Sequence, residues 1–169
     1  MLSADRAGRR VMRRRRILRS QSGQSLVEVA LLAPVLLALL VGIIEFGRYA
    51  YLSILVANAA RAGAAYGAQS LPQSVDTAGI QAAANNDFQN GQSLTGLTVT
   101  FSTSCGCDNG GTLTSAACTG GTAGTCASGH WVVAVSVQAK ATFNSLFGFP
   151  GIPKSITVTK NAAMRVDQN

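Results

Sequence analysis

The sequence is poor in the residues from which catalytic and metal centres are usually built. Of its 169 residues one is histidine and seven are acidic, and charged residues of both signs make up only 12%. A lone histidine, His130, excludes a histidine-rich metal site or a two-histidine catalytic centre. With 47% hydrophobic residues the chain is also too apolar to be disordered. Its net charge of +7 suggests a nucleic-acid binder only until it is divided by position. Residues 1–23 hold eight arginines and one aspartate, which already amount to +7. The six basic residues beyond them (Arg48, Arg61, Lys140, Lys154, Lys160 and Arg165) are balanced by six acidic ones. A body without a basic excess has little with which to neutralise phosphates, so no nucleic acid is expected among its partners. The length allows one compact domain and a membrane segment.

What the chain does have is a long apolar run. From Val29 to Ile44 no residue is charged or polar, and extending back to Leu26 adds only Glu28 as an interruption. That is the length of a membrane span, expected over about residues 26–44. On an insertion scale the Val, Leu and Ile residues of the run contribute roughly −3 to −7 kcal/mol, against up to about +3 for one carboxylate at the bilayer centre and less near its edge. Insertion wins. The arginines stand on one side, so the positive-inside rule expects the N-terminus in the cytoplasm, a single pass through the membrane, and everything beyond about residue 45 across it. The segment Glu45 to Ala68 is rich in Ala and Leu and lacks proline, which continues the helix. A helix over 24–69 is expected, about 69 Å long at 1.5 Å per residue.

Ser70-Leu71-Pro72 breaks it, and Val75 to Phe88 reads as a short amphipathic helix with Ile80, Ala84 and Phe88 on one stripe. The remainder changes period. Leu97–Phe101, Trp131–Phe143 and Ile156–Lys160, continuing to Val166, are β-branched and alternate apolar with polar residues. The expectation is an α+β domain over 70–169, with a short helix and an antiparallel sheet of about three strands. Two loops would separate the strands: 102–129, which holds all four cysteines, and 144–154, capped by Phe-Gly-Phe-Pro-Gly.

Between the arginine-rich stretch and the apolar run stands Ser22-Gly23-Gln24-Ser25-Leu26-Val27-Glu28. A basic leader ending in glycine, four uncharged residues, a glutamate and an apolar helix resemble the processing site of type IV pilin-like proteins. Glu28-Val-Ala-Leu-Leu-Ala-Pro34 followed by Gly42-Ile-Ile-Glu45-Phe46-Gly47-Arg48 is similar to the signature of the TadE family of tight-adherence pilus proteins. Val29 stands where that family usually has Phe or Tyr. The likeness covers about residues 22–50 and implies a leader, 1–23, removed between Gly23 and Gln24 by a prepilin-type peptidase of the membrane. It implies a minor pilin or pseudopilin that joins other pilin subunits and the pilus assembly machinery, with no catalysis and no cofactor of its own. The residues agree: Glu28 in lipid would need a partner, and a cut at Gly23 would supply an α-amine at Gln24 of a neighbouring subunit. Pro34 removes one helix hydrogen bond and is expected to kink or locally melt the helix.

Each signal has a plainer reading. The arginines, Gly23 and Glu28 also suit an uncleaved single-pass envelope protein that scaffolds other membrane proteins. A twin-arginine signal at Arg14-Arg-Arg-Ile-Leu-Arg19 is opposed by the polar residues Ser20 to Ser25, and a secretory cut near Ala57-Asn-Ala59 by the length of the apolar run. Glu45 and Arg48, three apart, fit a solvated ion pair or an intersubunit contact. Ala57, Ala60, Ala64 and Ala68, with Gly63 and Gly67, form a stripe of small residues suited to close approach of another helix or of the protein's own sheet. Cys105 and Cys107 are too closely spaced for a usual zinc site. No metal is expected, and Cys105, Cys107, Cys118 and Cys126 read as two disulfides, each of the first two pairing with one of the last two.

Overall fold

The computed structural model describes residues 22–89, 96–148 and 153–166. The arginine-rich leader up to residue 21, including its twin-arginine stretch, lies outside the described residues, as do 149–152 at the tip of the second expected loop and 167–169. The elements in chain order are α1 (Ser22–Gly67), a 3₁₀ turn (Gln73–Val75), α2 (Thr77–Gln89), β1 (Thr98–Asn109), β2 (Thr112–Ala116), β3 (His130–Asn144) and β4 (Ser155–Arg165). The chain divides into two compact units between Val41 and Gly42.

The first unit contributes the apolar half of α1. Its leucines and valines from Leu26 to Leu40 are exposed, so no protein core covers them. The helix is long and apolar enough to cross a membrane. It runs through Pro34 without a break. The expected local melting is therefore absent: proline removes one hydrogen bond, and the turns on either side keep theirs.

The second unit is the α+β domain. Leu52, Leu55, Val56, Ala59, Ala60, Gly63, Ala64 and Gly67 recur every three or four residues along α1 and are buried, which makes one helix face. That face lies along β3. A Cβ on Gly67 would come within 3.1 Å of Val135 Cγ1 and one on Gly63 within 3.3 Å of Val137 Cγ1, while the rings of Tyr49 and Phe143 meet edge to face at 5.6 Å. From Gly67 back to Tyr49 the helix advances about 27 Å, and from Val135 forward to Phe143 the strand advances about the same, so helix and strand run antiparallel side by side. The stripe of small residues is thus used for close packing on the protein's own sheet, with α2 adding Ile80, Ala84 and Phe88 to the same core.

The sheet is antiparallel with strand order β2-β1-β3-β4. In β3 the odd positions from Trp131 to Phe143 are buried, and the alternation continues across the register in Val99 on β1 and Val158 on β4. The outer face carries Thr100, Ser102, Ser136, Gln138, Thr157 and Asn161, all polar. Four strands stand where about three were expected. The first strand extends to Asn109 and folds back through Gly110 and Gly111, whose φ of 66° and 104° suits a two-residue hairpin turn, into β2. The expected loop 102–129 is therefore a hairpin followed by a shorter loop. The alternation that marks a strand fails there because Cys105-Gly-Cys-Asp-Asn109 contains no β-branched residue.

Candidate functional site

Gly23, Gln24 and Glu28 all lie in the first two turns of α1, and all are exposed. A Cβ on Gly23 would meet nothing within 4 Å, so the fold itself makes no demand for glycine there. Among the described residues Glu28 has neither an ion-pair nor a hydrogen-bond partner. Pro34 is exposed on the same helix, two turns further on.

Glu45 is a different case. One of its oxygens accepts the N–H of Leu146 at 2.6 Å, the N–H of Phe147 at 3.0 Å and the hydroxyl of Ser145 at 3.1 Å; the other takes Arg48 Nη1 at 2.9 Å. Its side chain is only 12% exposed. The pair with Arg48 forms at the expected spacing of three, and the carboxylate sits in addition in a nest of backbone N–H groups of its own chain. Arg48 also lies over the Phe143 ring, 5.4 Å from its centre, as a cation on an aromatic face. Sequence reasoning found the pair and missed its third partner, which is about a hundred residues away and made of backbone. The one local hint was that residues 144–154 were expected to form a loop.

Residues 23–65 match the family model described as TadE-like protein. The chain carries a TadE-like segment. It covers about a quarter of the sequence, from Gly23 through Glu28, Pro34 and Glu45 and on into the buried stripe. No curated protein and no solved structure matches the chain.

The cysteines lie beyond the TadE-like segment. Cys105 is bonded to Cys118 and Cys107 to Cys126, with Cα separations of 5.2 and 5.8 Å. Of the two connectivities left open by the sequence, this is the one formed. Cys105 and Cys107 both occupy inward positions of β1, and each bridge draws one arm of the 117–129 loop onto that strand. Among the described residues no group of His, Cys, Asp and Glu is arranged to hold a metal. His130 opens β3 on the surface.

Two carboxylates that sequence reasoning passed over brace the domain. Asp76 accepts the N–H of Gly79 at 3.0 Å, capping α2, and the hydroxyl of Tyr66 on α1 at 2.8 Å. Those two bonds hold its carboxyl below the usual carboxylate range. An Asp directly before Thr77 was the available signal for this cap. Asp108 pairs with Arg165 Nη2 at 2.8 Å across the sheet and accepts the N–H of Gly111 in the hairpin turn at 3.0 Å. Arg165, then the turn, lower its carboxyl in the same way.

Proposed function

We propose that this protein is a structural, non-catalytic component of a Tad-type adhesive pilus, a minor pilin or pseudopilin whose leader is removed after Gly23. The observation that carries the proposal is the family match, which begins at Gly23 and runs along one apolar helix. The TadE-like family points to a component associated with Tad pili. The finer role is supported by two features of α1. Gly23 meets no neighbour in the fold, so a requirement for glycine there belongs to an outside agent, such as a prepilin-type peptidase with a pocket too small for a side chain. Glu28 is exposed and unpartnered among the described residues, on a helix that otherwise suits lipid, and an ionisable group in that setting calls for an opposite charge. A cut after Gly23 creates one, the α-amine of Gln24 on an adjacent pilin subunit.

In this reading 1–23 is a cytoplasmic leader, about 26–44 spans the inner membrane once, and 70–169 is exported. The partners are the peptidase, other pilin or pseudopilin subunits, the assembly machinery and the lipid itself. N-terminal sequencing of protein extracted from membranes tests this directly. Gln24 should be the first residue, and an arginine leader found intact in cells that hold the peptidase would favour the uncleaved scaffold.

A further inference from the structure

Leu146 and Phe147 are apolar yet 65% and 45% exposed, at the end of β3. Their surroundings set them apart from scattered surface residues. Both backbone N–H groups are bonded to Glu45, so the loop is fastened to α1 at the residue that directly follows Ile44, the last of the apolar run. The antiparallel course of α1 and β3 brings the end of β3 to the start of the buried stripe of α1, next in sequence to the last apolar residue, Ile44. On that same stretch Ile43, Ile44, Phe46 and Tyr51 are exposed. Two cations flank the loop. Arg48, 40% exposed, holds the other oxygen of Glu45, and exposed Lys154 accepts the N–H of Ser145 at 2.9 Å through its backbone carbonyl.

We propose that Leu146 and Phe147 are a lipid-seated tip that docks the α+β domain on the bilayer surface at the end of the span. An apolar tip, aromatic neighbours and flanking cations are what the headgroup boundary accepts: rings and aliphatic chains sit among the upper acyl carbons while ammonium and guanidinium groups reach the phosphates. A carboxylate at that depth is tolerated because four donors surround it. Seating the tip would hold the domain at one height and tilt relative to the membrane instead of leaving it free to swing on the helix. The inference rests on the anchoring part of the proposed function, and is independent of leader removal and pilus assembly.

The test is made on the full-length protein in phosphatidylcholine vesicles, with and without bromine on the acyl chains as a contact quencher. Phe147→Trp and, separately, Leu146→Trp place a reporter in the tip. Leu40→Trp places one in the span, and the wild type reports Trp131 alone. Both tip variants should lose emission in brominated vesicles relative to unbrominated ones, as should Leu40→Trp, while the wild type should not. Quenching of Leu40→Trp without quenching of either tip variant would overturn the proposal while leaving the anchor intact. Absence of quenching from Leu40→Trp would overturn both. Equal quenching of Trp131 in the wild type would mean that the whole domain is immersed, and would also overturn it.

Discussion

Glu28 and Glu45 lie on one helix and do opposite things. Glu45 is bonded within its own chain, whereas Glu28 has no hydrogen-bond or ion-pair partner among the described residues. Replacing Glu28 by Gln should therefore leave the domain folded and the chain in the membrane, and reduce incorporation into pili. Membrane abundance and pilus yield measured side by side check this, and normal pili would remove Glu28 from assembly. Glu45→Ala should act in the other direction. The amides of Leu146 and Phe147 lose their acceptor and should exchange hydrogen faster, while the β3–β4 ladder amides stay protected. Asp76 and Asp108 govern acid stability. Their carboxyls are lowered in the folded state, so the stabilisation they give is present above the unfolded carboxylate range and is lost as pH falls through the depressed values. The melting temperature should fall in acid below about pH 4, the unfolded aspartate range, and the fall should be shallower in the double variant Asp76→Asn, Asp108→Asn.

At the scale of elements, the contact between α1 and the sheet depends on missing side chains. A Cβ on Gly63 would stand 3.2 Å from the Ile80 carbonyl and 3.4 Å from Ala84 Cβ as well as against Val137, so every direction is filled. Gly63→Val should destabilise the domain by about 1–3 kcal/mol through overpacking, read by denaturant unfolding in detergent. Gly47→Ala is the control: nothing lies within 4 Å of that position, so helix propensity alone acts and the change should be neutral or stabilising by up to about 1 kcal/mol. These elements were also the most legible part of the sequence. The uninterrupted apolar run and its Ala- and Leu-rich continuation marked α1, and period marked the Ile80-Ala84-Phe88 stripe and the cores of β1, β3 and β4, because each of those buries one face and repeats. β2 was hidden because five residues behind a Gly-Gly turn bury almost nothing. The pairing of the cysteines depends on strand register, and the nest around Glu45 on backbone groups that carry no residue type. Neither leaves a trace in composition.

The molecule as a whole joins two solvents on one chain. The apolar half of α1 has no core of its own, and the α+β unit has a core with two covalent braces at one end of its sheet. In the loop-entropy model each bridge, closing 13 or 19 residues, contributes roughly 2–4 kcal/mol. Reduction should lower the unfolding midpoint of the domain and leave the helicity of α1 before Val41 unchanged, followed by circular dichroism with and without reductant. The braces and the Leu146–Phe147 tip stand at opposite ends of β3, a strand of 15 residues and so roughly 45–50 Å long. β3 is paired with β1 over 130–140 and with β4 over 134–144, so every position has a neighbouring strand on at least one side. Ladder bonds lie across the strands, so tension drawn from the tip end of β3 to the braced end of β1 loads them in shear. They share such a load in parallel and have to fail together, as the rungs of a ladder do when its rails are pulled in opposite directions, whereas a pull across the sheet would open them one at a time.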